Sequence, residues 1–82
     1  MEFKKTEIAG CECYILNDTH KCVKYGEHWF AYFKPKGWKS FGNSCRLELG
    51  ESKKYTSLED AKKECLTHLE KYGEYALSNC RL

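Results

Sequence analysis

Six cysteines and three histidines stand in an 82-residue chain, and their spacing is the feature of the sequence best suited to chemistry. Cys11 and Cys13 are one residue apart, as are His20 and Cys22, and Asn17-Asp18 between them has turn composition. A two-residue turn at Asn17-Asp18 pairs Leu16 with Thr19, Ile15 with His20 and Cys13 with Cys22. Directly paired residues share a face of a sheet. One face then carries Tyr14, Leu16, Val23 and Tyr25, which suits a core. The other gathers Cys11, Cys13, Ile15, His20 and Cys22.

Three thiols and an imidazole on one patch suit zinc, which is tetrahedral and takes Cys sulfur at about 2.3 Å together with His nitrogen. The expected ligands are Cys11, Cys13, His20 and Cys22, with Cys80 as an alternative fourth ligand. A filled four-ligand site leaves no position for water, so such a zinc is structural rather than catalytic. It would also stabilise so short a chain, because metal binding adds to the free energy of folding. The same spacing is compatible with reduced thiols and with a Cys13–Cys22 cross-strand disulfide. Cys65 and Cys45 fit core positions. Cys65-x-x-His68 has the spacing of a helical ligand pair, although a histidine at a helix edge is more often structural.

These residues need elements to position them. Alternation and turn residues predict strands over residues 7–16, 21–25, 28–34 and 45–49, with Gly26-Glu27 as the second hairpin turn and a glycine-marked loop over 34–44. Thr56-Ser57-Leu58-Glu59 has capping-box spacing, with Ser57 and Asp60 as an alternative pair. Leu58, Ala61, Cys65, Leu69 and Tyr72 then recur at three and four residues, and Gly73 is the natural stop. The expected fold is α+β, a four-stranded antiparallel sheet in ββββα order with one C-terminal helix packed on one face, as a single domain over residues 1–82.

Composition narrows function. The N-terminal residues lack the apolar run of a secretory leader, and no stretch is long and apolar enough to span a membrane, so a cytoplasmic location in a host bacterium is expected. In that compartment cysteines serve as metal ligands or buried thiols more often than as disulfides. A net charge of +2 is far from that of a dedicated nucleic-acid binder. The charge is uneven, however. Lys34, Lys36, Lys39, Arg46, Lys53 and Lys54 face only Glu48 and Glu51 in the middle of the chain. No P-loop, dinucleotide fingerprint, metalloprotease helix or nucleophile elbow is present, so the chain is expected to bind rather than catalyse. Aromatics make up 15% of residues, more than a small core can hide. Tyr32, Lys34, Lys36, Trp38, Lys39 and Phe41 are therefore the expected partner-binding residues, because exposed aromatics beside basic side chains are typical of interface hot spots.

Two resemblances bear on the partner. The aromatic strand His28-Trp29-Phe30-Ala31-Tyr32 and the segment Tyr55-Thr56-Ser57-Leu58-Glu59-Asp60-Ala61-Lys62 resemble the small arm-binding domains of phage integrases. That resemblance implies a nucleic-acid-binding module. The Trp-x-Ala strand, the glycine-marked loop and the Tyr-x-Ser-Leu-Glu-Asp-Ala-Lys helix opening also resemble short phage and prophage proteins. Among these the chain looks most like the anti-CRISPR inhibitors of type II systems. The second resemblance implies a phage-derived inhibitor, in some members zinc-bearing, that binds a CRISPR effector nuclease and blocks its access to DNA.

Overall fold

The computed structural model describes residues 2–41, 45–47 and 55–75. Strands β1 (Lys4–Ile8), β2 (Cys11–Leu16), β3 (His20–Tyr25), β4 (His28–Phe33) and β5 (Cys45–Leu47) form one antiparallel sheet in chain order, and helix α1 (Leu58–Tyr72) follows them. This is the expected α+β fold, an antiparallel sheet followed by one C-terminal helix. The expected strand over 45–49 is present as the three-residue β5, and the sheet has five strands because a further one, β1, stands at its N-terminal edge. The strand boundaries differ at the N-terminus. Residues 7–16 are not one strand, because Ala9 and Gly10 adopt φ of 52° and 80° and turn β1 back onto β2 at the Ile8–Cys11 pair. Two consecutive positive φ values are what a two-residue type I′ hairpin turn needs. Ala-Gly announces that turn more weakly than Asn-Gly does.

The second hairpin contains the decisive correction. Asn17 and Asp18 turn the chain as expected, with φ of 53° and 58°, and the Thr19 N–H donates to the Leu16 carbonyl at 3.2 Å. Thr19 then stands as an extra residue. Its carbonyl accepts the Lys34 N–H at 2.8 Å, and its hydroxyl lies 2.8 Å from His20 Nδ1. Leu16 therefore pairs with His20, Tyr14 with Cys22 and Cys13 with Val23. A shift of one residue moves every side chain of a strand to the other face. His20 and Cys22 consequently join Tyr14 and Leu16, while Val23 and Tyr25 join Cys11, Cys13 and Ile15.

Strand β4 alternates cleanly. Trp29, Ala31 and Phe33 join Leu16, Cys22, Leu47, Tyr55, Ala61 and Cys65 in the core between sheet and helix, and Phe30 and Tyr32 lie on the opposite face. Tyr55 pairs with Trp29 in an isolated bridge, and its hydroxyl donates to the Leu47 carbonyl at 2.9 Å. The helix starts where Ser57 Oγ accepts the Asp60 N–H at 3.2 Å, so Ser57 is the cap and Thr56 is not. It ends at Gly73, φ 81°, whose N–H donates to the Leu69 carbonyl. Its buried face is Ala61, Cys65 and His68, flanked by the partly buried Leu58 and Leu69, whereas Tyr72 is largely exposed. No helix among the described residues is long and apolar enough to cross a membrane.

Candidate functional site

Two groups of residues stand out, one inside and one on the surface. The inner group follows from the one-residue shift. His20 and Cys22 sit two apart on the helix-facing side of β3, and Cys65 and His68 sit three apart on the sheet-facing side of α1. Cys22 Sγ lies 3.6 Å from Cys65 Sγ, and Cys65 Sγ is also 3.8 Å from the Lys21 carbonyl oxygen. His20 Nε2 lies 3.0 Å from His68 Nδ1. The Phe33 ring packs on both imidazoles, at centroid distances of 4.9 and 4.7 Å. All four side chains are at most 3% exposed. His68 Nε2 is buried with no hydrogen-bond partner among the described residues.

Burial decides the ionisation here. It depresses the His20 pKa to about 4, assisted by the charge His68 would carry, and it lowers His68 as well. Both rings are neutral at pH 7, so one nitrogen of the close pair donates and the other accepts. The Cys65 thiol is pushed well up, first by its hydrogen bond with Cys22 and then by burial, and burial raises Cys13. Protonated buried thiols are poor nucleophiles, so this interior is not arranged for covalent catalysis.

Of the ligands expected for zinc, the structure brings His20 and Cys22 together and places Cys11 and Cys13 on the opposite face of the sheet. Cys80 lies outside the described residues. The face assignment that gathered all four is corrected by the Thr19 insertion. Among the described residues no three His, Cys, Asp or Glu side chains already converge on one metal-sized point.

The surface group is the turn after β4. Lys34 is buried, and its ammonium donates to the Trp38 carbonyl at 2.9 Å with Asp18 at 3.7 Å. The Trp38 N–H donates to the Pro35 carbonyl, and the Lys36 N–H donates to the Glu74 carbonyl at 2.9 Å. Glu74 also accepts from the Lys36 ammonium at 3.0 Å and from the Asn17 amide at 3.1 Å. The start of the segment is thus tied to the hairpin turn through Lys34 and to the residue after the helix cap through Lys36. Above these anchors Trp38 is 39% exposed, with Lys36 and Lys39 beside it. Phe41 carries the Lys21 and Lys34 ammonium groups at 4.7 and 5.3 Å from its ring centre, and Lys21 also lies 5.2 Å from the Tyr32 ring. Of the six residues expected to bind a partner, Lys34 is buried. It fixes the loop from within and does not present its charge outward. Lys53, Lys54 and the side chain of Arg46 lie outside the described residues.

Sequence reasoning missed Lys21, Glu74 and the pairing of His20 with His68. Neither lysine spacing nor the post-helix glutamate carries a local signal, since both act across long sequence separations. The His20-x-Cys22 and Cys65-x-x-His68 spacings were the visible clues to the inner group. The hollow at the end of α1, lined by Leu66, Leu69, Glu70, Gly73, Glu74 and Tyr75, contains no nucleophile–base pair. No family model matches this chain, and no curated protein or solved structure is significantly similar to it.

Proposed function

We propose that this chain is a non-catalytic binding protein whose contact surface is the loop of Lys36, Trp38 and Lys39 together with the adjoining Lys21, Tyr32 and Phe41. The observation that carries this reading is Trp38, exposed on a segment pinned by the buried Lys34 ammonium. An ordered loop presenting an aromatic side chain pays less conformational entropy on association than a mobile one. Trp flanked by cations is also the composition of interface hot spots. The basic side chains call for an acidic partner surface.

The finer reading is a phage-derived inhibitor that docks on a CRISPR effector nuclease of a type II system and blocks its access to DNA. It rests on the resemblance described above. The nucleic-acid alternative draws on the same side chains, because aromatics beside lysines also stack on bases and contact phosphates. The low net charge weighs against it.

The test is a binding and cleavage assay with purified type II effector nucleases loaded with guide RNA, run beside short DNA and RNA alone. Inhibited cleavage, with a stable complex weakened by Trp38→Ala and by Lys36→Glu, supports the inhibitor. Binding to free nucleic acid that falls steeply with added salt supports the alternative. If neither assay responds to the two substitutions, the surface assignment fails.

A further inference from the structure

The inner group has a chemistry that neither its burial nor the proposed contact surface uses. A strand supplies His20-x-Cys22 and a helix supplies Cys65-x-x-His68, and the two motifs face one another across the core. Sulfurs bound at about 2.3 Å to one tetrahedral ion stand about 3.8 Å apart, and nitrogens bound at about 2.05 Å stand about 3.3 Å apart. The Cys22–Cys65 separation of 3.6 Å and the His20–His68 separation of 3.0 Å each lie close to those values. We propose that His20, Cys22, Cys65 and His68 form a binding site for one zinc ion that ties α1 to β3.

The donors now stand as two close pairs, and among the described residues no three of them have converged. Closure therefore requires the two pairs to draw together on elements already packed against each other. His20 is prepared for the role. Its Nδ1 is held by Thr19 Oγ1 at 2.8 Å, which directs Nε2 towards His68. A partner on the far nitrogen is the usual device for orienting a metal-binding imidazole. His68 would bind through Nδ1, the nitrogen that already faces His20. Charge also balances. The ion displaces one proton from each thiol to solvent, leaving two thiolates and two neutral imidazoles around a divalent cation. A net-neutral cluster suits a buried position where an unpaired charge would be costly. Oxygen-preferring cations such as magnesium and calcium are excluded by the donor set.

This site differs from the one expected from the sequence in two of its four ligands, and that difference makes the test sharp. The whole protein, purified under reducing conditions without chelator, is weighed by native mass spectrometry with and without added zinc, and is titrated with cobalt(II). One metal per chain and the intense visible absorption of tetrahedral thiolate-bound cobalt are expected. Cys65→Ser and His68→Gln should abolish both signals, whereas Cys11→Ser and Cys13→Ser should leave them unchanged. If the core variants fail to fold, alkylation of the unaltered protein in denaturant sufficient to open the metal-free chain decides, because there Cys22 and Cys65 should be protected while metal is bound and modified after chelation. Failure to take up zinc at saturating concentration overturns the proposal. So does metal-dependent protection of Cys11 and Cys13, or a chain two hydrogens light with Cys22 linked to Cys65. None of these readouts depends on the partner, so this site and the contact surface stand or fall separately.

Discussion

His20 Nε2 on β3 and His68 Nδ1 on α1 lie 3.0 Å apart inside the core, two imidazoles brought together across 48 residues of sequence. Burial holds His20 at a pKa of about 4, against an ordinary value of 6.5, and lowers His68 in the same direction. The unfolded chain therefore binds more protons than the folded one as pH falls below 6.5. Stability is full above 6.5 and is lost progressively as pH drops towards 4. From His20 alone the loss is roughly 3 kcal/mol, at 1.36 kcal/mol per pKa unit. Urea unfolding with chelator present, at intervals from pH 7.5 to 4.5, measures it. A flat profile between pH 6.5 and 5, above the range where carboxylates titrate, would show that the pair is not buried as described.

Phe33 is fully buried and packs on both of those rings. Phe33→Ala should cost about 3–5 kcal/mol, the usual range for removing a buried phenyl ring and leaving a cavity. Phe33→Leu should cost less, because more of the volume is kept. Denaturant midpoints of the two variants test the order, and equal midpoints would contradict the packing.

Ala9 occupies the left-handed region at φ 52°, which is unfavourable for an L-residue with a side chain. Ala9→Asn creates Asn-Gly, the pair best suited to a type I′ turn, and should raise stability by about 0.5–1 kcal/mol without altering the core. Thermal unfolding checks it. A loss of stability would mean that β1 and β2 are not joined by this turn.

Lys34 and Trp38 should separate folding from recognition. Trp38 is 39% exposed, so Trp38→Ala should lower stability by about 1 kcal/mol, less than Phe33→Ala, while partner affinity falls by about 2 kcal/mol or more. Lys34→Met removes the donor beneath the loop. Hydrogen exchange of the Lys36 and Trp38 amides should then accelerate, and binding should weaken although an exposed contact residue is untouched. If Lys34→Met leaves both exchange and binding unchanged, the loop is not held from within by this lysine.

The turn and cap residues were legible because they act locally. Asn17-Asp18, Gly26, the Ser57–Asp60 pair and Gly73 each satisfy or redirect backbone groups within four residues, and the structure uses every one of them. The alternation of β4 places Trp29 and Phe33 in the core. His68 was visible as half of a ligand-like spacing with Cys65, but its pairing with His20 was not, because a polar ring on a helix carries no sign of what it faces.

The sequence by itself determined the fold class, the helix with its caps and the residues of the β2 face, all consequences of short-range periodicity and hydrogen bonding. Only the tertiary structure decided which face β3 presents. That choice depends on Thr19, whose carbonyl is taken by Lys34 and whose hydroxyl meets His20. One residue held out of the ladder by a partner fifteen positions later turned His20 and Cys22 towards Cys65 and His68. A period-two pattern reads equally well in either register, so the distant contact had to choose between them.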